Sequence, residues 1–521
     1  MEEVIATQRD SLDALLAEIA LGPSGPGVGA FFDFDGTLID GFSAFVFLQH
    51  RLMNREMDAT EIARTVMMAV RGVSTEEEFA ELLTLPLGGW KGRPEEELDA
   101  LGEELFREGI ASNLFPESWE LVAAHLTQGH TVAISSSATR FQIAPLAREL
   151  GVSHILCTEV EIEDGLITGR TAGRIPYGAG KADVVTSFAA ANNLDLASSY
   201  AYSNGAEDVA FLATVQHPHV INPDSELDRV ASLRGWPVHR FARRSRPGLQ
   251  DALRTVGAYG GMLSGLGTGA VLGLLNWNKR QGLDLSFGLA GDLGLAMSGV
   301  ELNVEGGEHL WSQRPAVFVF NHQSSLVDAL VIFKLLRGNF SGVAKKEAAA
   351  MPLFGLFFQF ADIVFVERGD PTKAKEAMAP AVDKLREGVS LAIAPEGTRS
   401  FTPRLGAFKK GAFHIAMQAG VPIVPIVIRN SGSVMARGSK TLRPGRVDIV
   451  VHPPISVEGW TVENLNENIA AVRGVFLDTL GQSDREPAQP APPTKPAASN
   501  GAKTRKSAAR RRPKSTEETA R

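Results

Sequence analysis

Apolar and polar positions alternate along this chain with two periods. Ile5, Leu12, Leu15, Leu16 and Ile19 recur at helical spacing and predict a short amphipathic helix over residues 4 to 19, expected to dock on a partner surface. Gly22-Pro23-Ser24-Gly25-Pro26-Gly27-Val28-Gly29 then interrupts the chain as a linker. Beyond it, short apolar runs end abruptly on polar residues. Phe31-Phe32 stops at Asp33, Thr131-Val132-Ala133-Ile134 at Ser135, and Val317-Phe318-Val319-Phe320 at Asn321-His322. Ile363-Val364-Phe365-Val366 stops just before Arg368, and Ser390-Leu391-Ala392-Ile393-Ala394 before Pro395-Glu396. Runs of this kind predict buried strands feeding helices, and such junctions are where ligands of open α/β sheets sit. Between Asp40 and Phe115 the pattern is helical and charged, broken at Gly88-Gly89-Trp90-Lys91-Gly92.

Two further stretches depart from that pattern. Thr255 to Trp277 holds 23 residues without a charge, long enough to cross a bilayer, but seven of them are Gly, which lowers the gain on transfer. Leu283 to Leu302 is also apolar and Gly-rich, yet contains Asp284 and Asp292. The pair is expected to form helices that lie in or dip into a membrane surface. A packed helical hairpin of a soluble domain and a true span are the alternatives. After Leu480 the chain turns Pro/Ala-rich and then basic, through Lys503, Arg505, Lys506, Arg510, Arg511, Arg512 and Lys514. Such a tail buries no core and is expected to be disordered, with an anionic lipid surface as its natural attractor.

Composition narrows the picture. A length of 521 residues suits two or three domains, and 44% hydrophobic residues supply their cores. The net charge of −8 argues against nucleic acid as the main partner. The single cysteine, Cys157, excludes an intramolecular disulfide framework and suits a reducing compartment. Glu2 and Glu3 at the N-terminus, with no apolar run, predict no secretory signal.

The first chemical candidate is Phe31-Phe32-Asp33-Phe34-Asp35-Gly36-Thr37. Two carboxylates two residues apart, at a strand end before a Gly turn, divide labour naturally: one attacks phosphorus while the other protonates the leaving oxygen and later activates water. A divalent cation such as Mg²⁺ is expected beside them. These residues resemble the haloacid dehalogenase superfamily of phosphatases, in the branch that includes phosphoserine phosphatases. By that resemblance Ser135-Ser136-Ser137 supplies a phosphoryl-binding hydroxyl, with Ser136 favoured and Ser135 the alternative. The resemblance also makes Lys181 the charge-neutralising lysine and Asp33, Asp35, Asn204 and Asp208 the metal site. Asn204 departs from the family, which usually has Asp there. The helical stretch of about 40–115 becomes a cap over the site.

The second candidate is His322 with Asp328. A histidine just past a strand can take a proton from a hydroxyl, and an aspartate a few residues on can fix its tautomer and steady the imidazolium. Cationic residues then recur near strand ends: Lys345, Arg368, Arg399 in Pro395-Glu396-Gly397-Thr398-Arg399-Ser400, and Lys409-Lys410. That recurrence suits an anionic head group. The whole set resembles the lysophospholipid acyltransferases, especially bacterial 1-acylglycerol-3-phosphate acyltransferases. The resemblance implies that His322 and Asp328 are catalytic and that Arg368, Lys345, Glu396, Gly397, Thr398 and Arg399 bind substrate. Five residues separate His322 from Asp328 where the family usually has four. The implied reaction moves an acyl group from acyl-CoA or acyl carrier protein to the 2-hydroxyl of lysophosphatidate.

The resulting expectation is a fusion with two α/β units. Residues 1–29 form a helix and linker, and 30–247 a Rossmann-like phosphatase with a helical cap. Residues 251–480 form an acyltransferase whose leading helices, about 255–302, are membrane-associated on the cytoplasmic face. Residues 481–521 form a disordered tail. The phosphatase half is expected to serve the same lipid pathway, with a non-catalytic regulatory module or an unrelated phosphoserine-like substrate as alternatives.

Overall fold

In the computed structural model, which describes residues 2–57, 62, 78, 87–244, 248–345, 363–366 and 371–483, the apolar runs build two seven-stranded sheets. The first comprises β1 (Gly29–Phe32), β2 (Thr131–Thr139), β3 (His154–Glu163), β4 (Leu166–Ala172), β5 (Tyr200–Ser203), β6 (His217–Ile221) and β7 (Val238–His239) in the order β4-β3-β2-β1-β5-β6-β7. Its strands run parallel except for the β3–β4 pair. The chain leaves β1 toward β2 and returns on the other side as β5, so a crevice opens at the carboxyl ends of β1 and β5. Phe32 is in register with Ile134 and with Tyr202, which brings Asp33, Ser135 and Ser203 out at one edge.

The second sheet comprises β8 (Val300–Glu305), β9 (Val317–Phe320), β10 (Phe340–Lys345), β11 (Val364–Val366), β12 (Ser390–Ile393), β13 (Ile423–Ile428) and β14 (Gly445–Val451) in the order β11-β10-β12-β9-β13-β14-β8. β9 is central, parallel to both β12 and β13, and only the β13–β14 pair is antiparallel. Apolar clusters cover both faces, which is why these strands read as unbroken apolar runs. The α/β architecture expected for both halves is the one the chain adopts.

The N-terminal helix, α1 (Glu2–Leu21), buries Leu12, Leu15 and Ile19 in the core of the first sheet. Its apolar stripe is therefore spent inside this chain rather than on a separate partner. Of the expected cap, residues 58–86 apart from Ile62 and Glu78 lie outside the described residues, as do 484–521 of the tail.

The Gly-rich stretches form an antiparallel hairpin, α2 (Leu249–Leu275) and α3 (Lys279–Ser298). Gly261, Gly265, Gly269 and Gly273 recur every fourth residue and so share one face. A Cβ at Gly265 would meet the Ala290 backbone nitrogen at 2.3 Å, and one at Gly269 that of Ser286 at 2.2 Å. The glycines let the two backbones touch, so their spacing serves the close packing of the pair. α3 then lies on α4 (Ser325–Leu336), where Asp292 pairs with Lys334 and with Arg337 at 3.1 Å. Away from that contact, Val271, Leu272, Leu274, Leu275 and Trp277 are exposed at the hairpin tip. α2 is long and apolar enough to cross a membrane by length and composition.

Histidines line the back of the first sheet. His125 Nδ1 lies 2.8 Å from His130 Nδ1 and its Nε2 lies 2.7 Å from the Tyr202 hydroxyl. His219 Nδ1 lies 3.2 Å from His239 Nε2, and Ser11 of α1 reaches His239 Nδ1 at 2.9 Å. Burial, with neighbouring histidines adding to it, pushes His125 well below the ordinary range and His239 down to about 4. Folded-state values below the unfolded value of about 6.5 mean that the unfolded chain binds the extra protons. The stability these neutral rings allow is complete above about pH 6.5 and is lost as the pH falls toward 4, by at most roughly 3 kcal/mol for a shift like that of His239. Thermal melts across that window, with His239→Gln flattening the slope, measure it.

Candidate active sites

β9 ends in a cluster of hydrogen bonds that fixes His322 from both sides. Asn321 locks the strand end to β13, its amide nitrogen donating to the Ile428 carbonyl at 2.8 Å and its oxygen accepting from Ile428 N–H at 2.8 Å. The His322 N–H donates to Glu396 Oε1 at 2.7 Å, and the His322 carbonyl accepts from Ser400 N–H at 2.8 Å. Ser324 caps α4 by accepting from Val327 N–H at 3.4 Å, which puts Asp328 in the first helical turn. Asp328 Oδ2 accepts from His322 Nδ1 at 2.8 Å and from the backbone N–H of Gln323 and Ser324, each at 2.8 Å. The Ser431 hydroxyl donates to its other oxygen. The extra residue between His322 and Asp328 is absorbed by the non-helical start Asn321–Ser324, so the pair meets despite the longer spacing.

This geometry has a chemical consequence. The Asp328 side chain is 1% exposed and that of His322 26%, so the anion is sealed while the ring faces outward. A buried carboxylate holding the proton on Nδ1 leaves the Nε2 lone pair free to accept one. Glu396 is tied to the backbone on both sides of the site. Its second oxygen accepts from Gly406 N–H at 2.8 Å, so both oxygens hold backbone N–H groups. Burial pushes its carboxyl up against the pull of those two bonds. Gly397 turns the chain at φ +70°, Thr398 is exposed, and the Arg399 carbonyl accepts from Arg437. Lys345 closes β10 with its side chain outside the described residues, and Arg368 lies outside them altogether.

At the end of β1, Asp33 Oδ1 accepts from Lys181 Nζ at 2.8 Å, and the same nitrogen lies 2.5 Å from Asp208 Oδ2. Thr37 Oγ1 sits 3.3 Å from both Asp33 Oδ2 and Asn204 Oδ1. Asp35 turns away, accepting from Ser43 N–H at 2.7 Å and from the Ser43 hydroxyl at 3.1 Å. Burial raises Asp35 to about 7, against the Ser43 hydrogen bonds and with the Asp33 charge adding to it. A carboxyl near 7 can give and take a proton at neutral pH. Burial also raises Asp33, to about 6, where Lys181 opposes and Asp208 reinforces the shift. Burial works against the Lys181 charge, but Asp208 and Asp33 outweigh it and keep the ammonium protonated. Gly36 is required here, since φ is +79° and a Cβ would stand 2.2 Å from Asn204 Nδ2.

The two serine alternatives differ. Ser136 Oγ accepts from Ala138 N–H at 3.2 Å, whereas the buried Ser135 Oγ, at the edge beside Asp33, has no partner. Asp208 Oδ1 is likewise buried without one. Among the described residues no three His, Cys, Asp or Glu side chains converge as a cage. An all-oxygen set of three carboxylates and one amide, with an unsatisfied Asp208 oxygen, nevertheless fits Mg²⁺, which keeps several waters and takes the rest from substrate. Asn204→Asp adds the missing charge. It is expected to lower the Mg²⁺ concentration for half-maximal phosphate release roughly tenfold, measured by titration of the rate.

Sequence reasoning missed Ser431 and Thr37. Thr37 was visible in the motif around Asp33, but Ser431 stands 103 residues from Asp328 with no local signal.

Comparison with known proteins matches two separate stretches of the chain. The description of haloacid dehalogenase-like hydrolases matches residues 30–213, and that of acyltransferases matches residues 301–429. A 1-acyl-sn-glycerol-3-phosphate acyltransferase of Limnanthes alba is 31% identical over 198 residues, 38% of this chain and 69% of that protein. An uncharacterized acyltransferase of Schizosaccharomyces pombe is 40% identical over 184 residues, 35% of this chain and 66% of that one. A phosphoserine phosphatase of Mycobacterium tuberculosis is 36% identical over 245 residues, 46% of this chain and 79% of that one.

Proposed function

We propose, for a chain that belongs to the haloacid dehalogenase-like hydrolases through its N-terminal half and to the acyltransferases through its C-terminal half, a bifunctional role in phospholipid biosynthesis. The observation that carries the acyl-transfer reading is the 2.8 Å bond between His322 Nδ1 and the sealed Asp328 carboxylate. His322 Nε2 takes the proton of the lysophosphatidate 2-hydroxyl as that oxygen attacks the carbonyl carbon of an acyl thioester. The tetrahedral intermediate collapses with cleavage of the C–S bond, and the imidazolium returns the proton to the departing thiolate. Arg368, Arg399 and Lys345 are assigned to the glycerol phosphate, since guanidinium groups grip phosphate oxygens in pairs and place the hydroxyl within reach. Glu396 is assigned to positioning, through the His322 backbone.

In the N-terminal half Asp33 attacks phosphorus, Asp35 protonates the leaving oxygen, and Asp35 then takes a proton from the water that hydrolyses the aspartyl phosphate. Lys181 and Ser135, whose hydroxyl is unpartnered, hold phosphoryl oxygens. Asp33, Asp35, Asn204 and Asp208 would hold Mg²⁺, which would neutralise charge on the phosphoryl group. The exposed hairpin tip around Trp277, flanked by Lys279 and Arg280, supports docking on an anionic membrane at its cytoplasmic face.

The test gives the purified protein lysophosphatidate, acyl-CoA and Mg²⁺ and identifies products by mass spectrometry. Phosphatidate or diacylglycerol supports the acyl-transfer reading, and monoacylglycerol alone overturns it. The relative named a phosphoserine phosphatase favours a second reading for the N-terminal half, an amino-acid phosphomonoester as substrate. Phosphate release from phosphoserine but from neither lipid selects it.

A further inference from the structure

The two loops that fix the His322–Asp328 pair are both pinned from the phosphatase side. The first, Gly397–Leu405, connects Glu396 to Gly406 and carries Ser400, whose N–H holds the His322 carbonyl. Its next residues leave the acyltransferase sheet. Phe401 packs into the core of the first sheet, its ring 6.4 Å from that of Phe106. Thr402, 5% exposed, donates its hydroxyl to Glu149 Oε2 at 2.7 Å. Arg404 Nη1 donates to the Arg148 carbonyl at 2.9 Å. Arg148 and Glu149 end the helix Arg140–Leu150, which packs on β2 and β3 of the phosphatase sheet.

The second loop is Asn430–Val434. There Ser431 donates to Asp328, and Gly432 N–H donates to Gln323 Oε1 at 3.0 Å. Arg244, just past β7 of the first sheet, reaches into it and donates to the Ser433 carbonyl at 2.8 Å. The Arg244 N–H itself donates to Asp40, seven residues beyond Asp33. One loop holds the backbone of the candidate base and the other its carboxylate; the first donates hydrogen bonds to the other domain and the second accepts one from it.

We propose that the phosphatase domain is a structural part of the acyl-transfer site, with Glu149 and Arg244 as positioning residues for His322 and Asp328. This rests on the acyl-transfer reading above and is independent of phosphate chemistry. A loop between a strand and a helix has few contacts of its own, so its conformation is set by what it docks on. Here the docking surface belongs to a second catalytic domain, and turnover at His322 depends on that domain being folded but not on its being active.

A double-mutant cycle across the first pin tests this. Glu149→Ala and Thr402→Val are each expected to lower kcat for acyl transfer about fivefold, the scale of one ordinary lost hydrogen bond, with KM within about twofold. The double variant should be no worse than the poorer single, and Glu149→Gln, which keeps an accepting oxygen, should stay within about twofold of the parent. Phosphate release should be unchanged throughout. Amide hydrogen exchange of the peptide around Ser400 reads the loop without requiring turnover and should quicken in Glu149→Ala. Unchanged kcat with unchanged exchange overturns the proposal. So does a parallel loss of both activities, which marks general loosening. Absence of acyl transfer in the parent protein sinks the acyl-transfer reading instead, and the loop coupling is then decided by Ser400 exchange alone.

Discussion

Acyl transfer by the His322→Ala protein is expected to fall by about three orders of magnitude, the contribution of a positioned general base, while phosphate release stays at the parental rate. The substitution is clean because of how the site is wired. The backbone N–H and carbonyl at 322 make the bonds to Glu396 and Ser400, and alanine keeps both. Asp328 loses the ring but retains the N–H groups of Gln323 and Ser324 and the Ser431 hydroxyl, so no buried carboxylate is left bare. The variant should therefore fold, with a melting temperature close to the parent. Initial rates with lysophosphatidate and acyl-CoA check it. A loss of less than about tenfold would mean that the imidazole is not the base, since positioning alone is then supplying the rate.

The parts of the molecule that were legible in the sequence are those whose information is local. β1 and β9 end where an apolar run meets Asp33 or His322, because a strand buried on both faces tolerates no polar residue until it reaches the sheet edge. Asp328 was legible for the same reason, being only six residues from its partner. Ser431, Glu149 and Arg244 were not, since the contacts they make span 103, 253 and 189 residues and carry no periodicity. Glu396 was legible as a motif residue, but its two backbone bonds were not, because a motif names a residue without saying which way its carboxylate turns. The hairpin shows the limit of composition. Seven glycines in 23 uncharged residues describe a weak span and a close-packed helix pair equally well. The approach of Gly265 to Ala290 adds what composition lacks, that the two helices pack backbone to backbone.

Replacement of Asp33 by Asn should abolish phosphate release, by on the order of 10⁴ or more, and leave acyl transfer intact. The amide has nearly the shape of the carboxylate, so the strand end and the Tyr202 carbonyl bond to the residue 33 N–H persist. What disappears is the negative oxygen that attacks phosphorus. The remaining charges still balance, because Lys181 keeps Asp208 at 2.5 Å and is not left as an unpaired buried cation. Asp208→Ala would instead remove the nearer of the two acids at Lys181 and leave the buried Ser203 hydroxyl without its acceptor, so it mixes chemistry with stability where Asp33→Asn does not. Because the loops around His322 dock on Glu149 and Arg244 and not on Asp33, acyl transfer in this variant should match the parent within about twofold. Phosphate release that survived Asp33→Asn would remove the aspartyl phosphate from the mechanism. Loss of acyl transfer with the fold retained would mean that the two halves exchange substrate, so that one reaction feeds the other.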